Sequence, residues 1–174
     1  MLVVALLHPV DLRTAVDPLT GAVTSDPRLA SLSASDEAAL EHALALGSAW
    51  RARVLALSAG GPEADGALRE ARARGAEVRR VAHAGAYLDD LVRDEQALAR
   101  VLVAAIGERP DLVLCGDRSA DRGTGALPAF VAHELGVVQA PGLVSLALLG
   151  VNGGLLLFVE RLDREIRRAV GPPE

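Results

Sequence analysis

Apolar residues follow two rhythms along this chain: short unbroken runs, and longer segments in which they recur every three or four positions. "LVVALL" (2–7) is an unbroken run closed by His8-Pro9, which predicts a strand buried on both faces. In the polar stretch that follows, "DPLTGAVTSDP" carries Pro and Gly signals for turns or a small hairpin. "SASDEAALEHALALG" predicts the first helix. Ser33 and Asp36 have capping-box spacing, acids fill the first turn, and Gly47 is placed to end it. Ala39, Leu40, Ala43 and Leu44 are its apolar stripe.

"RVLALSAG" (53–60) predicts a second strand. Pro62 sits where a first helical turn tolerates it, and Ala64, Ala67, Leu68 and Ala71 continue a helix up to Gly75. "AEVRRVAH" is a weaker third strand, suited to an edge. A third helix over 88–107 turns Leu91, Leu98, Leu102 and Ile106 inward, and "DLVLCG" is the fourth strand. Leu127, Phe130, Val131 and Leu135 mark a fourth helix, with Gly136 as its terminator. Beyond Pro141, "LVSLALLG" and "GLLLFVERL" flank Val151-Asn152-Gly153-Gly154, a strong hairpin signal.

Strand and helix therefore alternate four times before the hairpin. Short right-handed crossovers make this an α/β fold: a doubly wound, mostly parallel sheet with a C-terminal antiparallel β-hairpin at an edge. Residues 1–174 are expected to form a single domain, with a parallel-sheet core over 1–140, the edge hairpin over 141–162 and a short tail over 163–174.

Composition sharpens the picture. About half of the 174 residues are apolar (51%) but only 2% are aromatic, so Ala, Val and Leu must build the core. The net charge of −5 argues against nucleic acid, and the Arg clusters "REARARGAEVRR" and "RLDREIRR" are interleaved with acids, as solvated mixed faces are. The single Cys115 can make neither an internal disulfide nor a thiolate metal cluster. With no charged leader and no run of membrane-spanning length, a cytoplasmic protein that does not insert into membranes is expected.

In an open parallel sheet, ligands bind beyond the carboxyl ends of the strands, where strand order reverses. "DLVLCGDRSADRGTGALPAF" is the telling stretch: an apolar run stops in a polar, glycine-bearing loop that leads into a helix. Free amides and the positive dipole end of that helix favour a phosphate, and glycine keeps side chains out of the way. An ordinary βα loop with turn chemistry fits the pattern equally well. His8, His42, His83 and His133 lack metal-ligand spacing, and the chain has neither G-x-G-x-x-G nor a lysine-bearing phosphate loop. Ser58 and Ser119 have no evident base and orienting acid, so no residue is assigned as catalytic and no metal site is expected.

Taken in order, "DPLTGAVTSD", "SASDEAALEHALALG", "GALREARARGAEV", "PDLVLCGDRSADRGTGALPAFVAHELG" and the hairpin ending "VERLD" resemble the β subunit of electron-transfer flavoproteins. The resemblance implies a HUP-like, adenine-nucleotide-binding sheet that pairs with an α subunit carrying redox-active FAD. The β subunit itself holds a structural AMP or, in electron-bifurcating members, a second FAD. Electrons arrive from flavin dehydrogenases, and the β subunit has no bond-making site of its own. Carried over by position, the nucleotide site comprises Ala5, the corner Ser33, Ala34, Ser35 and Asp36, then Ser58 and Ala59. It is completed by the loop Gly116, Asp117, Arg118, Ser119, Ala120, Asp121, Arg122, Gly123, Thr124, Gly125, Ala126 and Leu127, with phosphate on the amides of Gly123, Thr124 and Gly125.

The sequence departs from the family in places. Ser33-Ala34 stands where Asn-Pro is usual, and Arg118 where Gln is common. Asp-Gly-Asp-Thr-Gly-Gln is replaced by Asp121-Arg122-Gly123-Thr124-Gly125-Ala126, which loses an amide and gains a positive charge. Family members also continue well beyond this sequence, into a dehydrogenase-docking segment and an arm onto the α subunit. Two further readings stand beside this one: a free-standing adenine-nucleotide module resembling universal stress proteins, and a ligand-free structural pseudo-subunit.

Overall fold

A computed structural model describes residues 1–13, 15–24, 26–82, 94–141, 143–151 and 154–161, of which 27, 144–151 and 154–161 are described for their backbone alone. The strands are β1 (Leu2–Leu6), β2 (Val10–Asp11), β3 (Ala15–Val16), β4 (Val23–Thr24), β5 (Ala30–Ser31), β6 (Arg53–Ala59), β7 (Glu77–Val81), β8 (Leu112–Cys115), β9 (Leu143–Val151) and β10 (Gly154–Arg161). The α-helices are α1 (Ala34–Trp50), α2 (Asp65–Ala73), α3 (Glu95–Ile106) and α4 (Leu127–Leu135).

The chain divides into two compact units, Met1–Val137 and Val138–Glu174. The first is built on a four-stranded sheet of order β7-β6-β1-β8, with every pairing parallel. All five residues of β1 are buried, as a strand with neighbours on both sides and helices on both faces requires. Alternate residues divide the sheet. Leu2, Val4, Leu6, Leu55, Leu57 and Ala59 cluster with Leu98, Ala99, Leu102, Ile106 and Val131 of α3 and α4. The intervening positions, Val3, Ala5, Val54, Ala56 and Ser58, therefore face the opposite side, where α1 packs on β1 and α2 on β6 and β7. Strand order reverses between β1 and β8: the chain winds outward through β6 to β7, then returns to the other side of β1. This is the doubly wound α/β sheet expected from the periodicity, with β7 at the edge.

Helix ends follow local chemistry. Ser33 caps α1 by accepting the Asp36 amide at 3.1 Å, and Asp94 caps α3 by accepting the amides of Gln96 and Ala97. Gly136, at φ 65°, closes α4 as its sequence position predicts. Gly47 does not end α1. The helix runs one turn further to Trp50, and Arg51 (φ 53°) makes the left-handed turn in place of a glycine. Gly47 is instead needed for close packing, because a Cβ there would lie 2.2 Å from Val54 Cγ2. The buried stripe shifts accordingly to Leu46 and Gly47, leaving Leu44 half-buried. Leu91, expected on the third helix, lies outside the described residues.

Between β1 and α1, β3 pairs antiparallel with β4, and β2 with β5, so the small hairpin expected there is present. In the second unit, β9 and β10 pair antiparallel, with Val151 opposite Gly154 and a register irregularity between Glu160 and Arg161.

Candidate functional site

The carboxyl ends of β1 and β8 flank the point where strand order reverses, and the segments leaving them, Leu7-His8 and Gly116–Leu127, line one cleft. Its free volume is about 50 Å³, with Leu98 and Leu102 of α3 forming an apolar wall.

Asp36 organises this corner. It lies in the first turn of α1 and is buried; its carboxylate accepts the Ser33 hydroxyl at 3.0 Å, and the backbone amides of Gly116 and His8 lie near enough to favour its charged form. One carboxylate thus sits where the start of α1 meets the chain leaving both strands. Burial pushes its carboxyl above the ordinary value, against the opposing pull of the Ser33 hydroxyl, His8 and the two amides. Gly116 is required at this contact, since a Cβ would stand 2.7 Å from Asp36 Oδ1 and 2.8 Å from Ser35 Oγ.

The loop after β8 is held from within. Ser119 donates its amide to the Thr124 carbonyl at 2.7 Å, and Gly123, at φ 67°, donates its amide to the Ser119 carbonyl at 2.8 Å. The Ser119 hydroxyl donates to Asp121, which lies 3.6 Å from His8 Nε2 and 3.4 Å from Arg122 Nε. Partial burial raises the Asp121 carboxyl, but the Ser119 hydroxyl, His8 and Arg122 outweigh it and hold it below the usual range. Arg122 also reaches His8, at 3.5 Å. Gly125 packs directly on the loop's own backbone: a Cβ there would be 2.7 Å from the Asp117 carbonyl oxygen.

Of the three amides expected to hold a phosphate, that of Gly123 is committed to Ser119. Those of Thr124 and Gly125, residues that line the cleft, have no protein acceptor among the described residues. The next amide, of Ala126, donates to Glu95 Oε2 at 2.9 Å.

Asp36, Ala59, Gly116, Asp117, Arg118, Ser119, Arg122, Thr124, Gly125 and Leu127 are brought together in the cleft lining. Ala5 is wholly buried within β1, and Ser33, Ala34 and Ser35 form the corner behind Asp36. Ala120, Asp121, Gly123 and Ala126 belong to the loop and its exit without lining the cleft. Ser58 has no solvent exposure, and its hydroxyl has no hydrogen-bond partner among the described residues. Unpaired buried hydroxyls are uncommon, since each forfeits its hydration.

Sequence reasoning missed Glu95 and Cys115 as lining residues. Glu95 is 31 positions from its partner and arrives on a different helix. Cys115 reads as core from its apolar run, and burial, with Asp36 and Asp117 nearby, pushes its thiol up to about 12. Such a thiol is inert at neutral pH. Among the described residues no cluster of His, Cys, Asp or Glu could hold a metal ion, and no helix is long and apolar enough to cross a membrane.

Fold and cleft together define a doubly wound α/β domain whose candidate ligand site lies at the switch point of its sheet. The chain belongs to the electron transfer flavoprotein domain family, whose model matches residues 22–163. It is 33% identical over 117 residues to the electron transfer flavoprotein subunit beta of Syntrophomonas wolfei, covering 66% of this chain and 44% of that protein. The subunits beta of Mycobacterium bovis and Mycobacterium tuberculosis are each 33% identical over 114 residues, covering 65% of this chain and 41% of theirs. The matched segment thus spans less than half the length of these curated relatives.

Proposed function

We propose that this chain is an electron-transfer flavoprotein β-type subunit whose switch-point cleft binds an adenine nucleotide, AMP or FAD. In this reading it pairs with an α-type subunit carrying redox-active FAD and helps relay electrons from flavin dehydrogenases, with no bond-making site of its own. The supporting observation is the set of unused polar groups at one sheet edge. The Thr124 and Gly125 amides have no protein acceptor among the described residues and lead into the nine-residue helix α4. Paired amides at a helix start suit a phosphate. The group bound there would be structural if AMP, or would supply one- and two-electron redox chemistry if FAD.

Nucleotide-sized pockets usually run to about 300 Å³ or more. A cleft of about 50 Å³ therefore has to open before a nucleotide enters, and the segment suited to move is the Gly116–Leu127 loop. Gly125→Leu tests the assignment. The side chain would drive against the Asp117 carbonyl and displace the two amides. Loss of two charge-assisted hydrogen bonds is expected to weaken AMP binding about a hundredfold, measured by titration calorimetry. AMP bound equally well by this variant would rule out the loop as the phosphate seat.

A further inference from the structure

Helices α3 and α4 lie on the same face of the sheet, and their first turns meet at the cleft. Glu95 is the first residue of α3, yet its carboxylate reaches across to accept the Ala126 amide at the entry to α4. The pairing of Arg100 with Glu134 at 3.0 Å further along the two helices keeps them in this alignment. A negative charge is thus already placed where two helix N-termini converge, which is where an anion gains most from the helix dipoles.

We propose that Glu95 is a specificity-determining residue of the nucleotide site: its carboxylate competes with the ligand's phosphate for the start of α4. This inference rests on the nucleotide-binding reading above. Two features support it. The bond from Glu95 to Ala126 ties the exit of the Gly116–Leu127 loop to α3, so it holds the cleft in its narrow form. The charged lining also adds little attraction for a dianion, because Asp36, Glu95 and Asp117 offset Arg118, Arg122 and His8. A phosphate must displace Glu95 from Ala126 or bind beside an ionised carboxylate, and either route weakens binding. The adenosine portion meets no such opposition, so Glu95 sets the balance between phosphate and nucleoside recognition.

The test is titration calorimetry of the full chain and Glu95→Gln, each with AMP and with adenosine. Gln keeps an acceptor for Ala126 while removing the charge, so the fold is expected to survive. Removing one repelling charge at this range is expected to tighten AMP about tenfold and to leave adenosine unchanged. Glu95→Ala, which also frees the Ala126 amide, should tighten AMP at least as much. AMP affinity unchanged in both variants would overturn the proposal while leaving the nucleotide site standing. A parallel shift for AMP and adenosine in Glu95→Gln, which keeps the tether to Ala126, would also overturn it, since that indicates a change in cleft shape and not in charge. If neither ligand binds any of the three proteins, the nucleotide reading fails and this one with it.

Discussion

Asp36 places one buried carboxylate where three elements meet, and its sequence context explains only half of that. Capping-box spacing with Ser33 predicts the helix start, and the Ser33 hydroxyl indeed accepts the Asp36 amide. The carboxylate itself accepts the Ser33 hydroxyl and lies near the amides of Gly116 and His8, residues that are distant in sequence. Asp36→Ala would remove the acceptor of the buried Ser33 hydroxyl and the charge beside those amides, and is expected to cost about 1–3 kcal/mol, read from urea unfolding. Asp36→Asn keeps an acceptor and should cost much less. It should also change the pH profile. The folded-state pKa of Asp36 is raised, so the stability tied to its proton is complete below the unfolded Asp value and is lost as pH rises through the folded value. An uncharged amide at this position has no proton to lose, so the gap between the two proteins should narrow with rising pH. A gap that stays constant would mean that Asp36 is not the group responsible.

At the scale of elements, the end of α1 shows what periodicity can and cannot reveal. Gly47 looks like a terminator because glycine often ends helices, but here its missing Cβ admits Val54 of β6. Close approach and helix termination ask for the same residue, and only the packing tells them apart. The two roles give opposite expectations for substitution. Gly47→Ala improves helix propensity yet forces a Cβ into Val54, and should destabilise by about 1–3 kcal/mol. Arg51→Gly relieves a left-handed backbone and should stabilise by roughly 0.5–1 kcal/mol. Thermal unfolding of both variants checks the assignment, and a stabilising Gly47→Ala would contradict it. The strands are plainer: β1, β6 and β8 fall within the apolar runs that announce them, because inner strands have little polar residue content to blur the signal, whereas the polar, edge-placed β7 gives the weaker signal.

At the scale of the molecule, the alternation of strands and helices was enough to place the loop after Cys115 at the carboxyl end of the sheet, and the structure sets its strand beside β1. The glycines of this loop read in the sequence as clearing space for an anion; the structure gives two of them a different role, close packing on protein atoms, Gly116 against Asp36 and Ser35 and Gly125 against Asp117. Glu95 was not legible, because a carboxylate at a helix start reads as an ordinary favourable charge until the second helix is seen next to it. The same holds for Ser58, whose hydroxyl is conspicuous only once its described surroundings are known to lack a partner.

The central claim is that this switch-point cleft holds an adenine nucleotide. Native mass spectrometry of the gently purified chain, before and after incubation with AMP, tests it most directly. One adenine nucleotide per chain is expected, either retained from purification or taken up from solution, identified by the mass of the released molecule. A chain that stays ligand-free at millimolar AMP would contradict it.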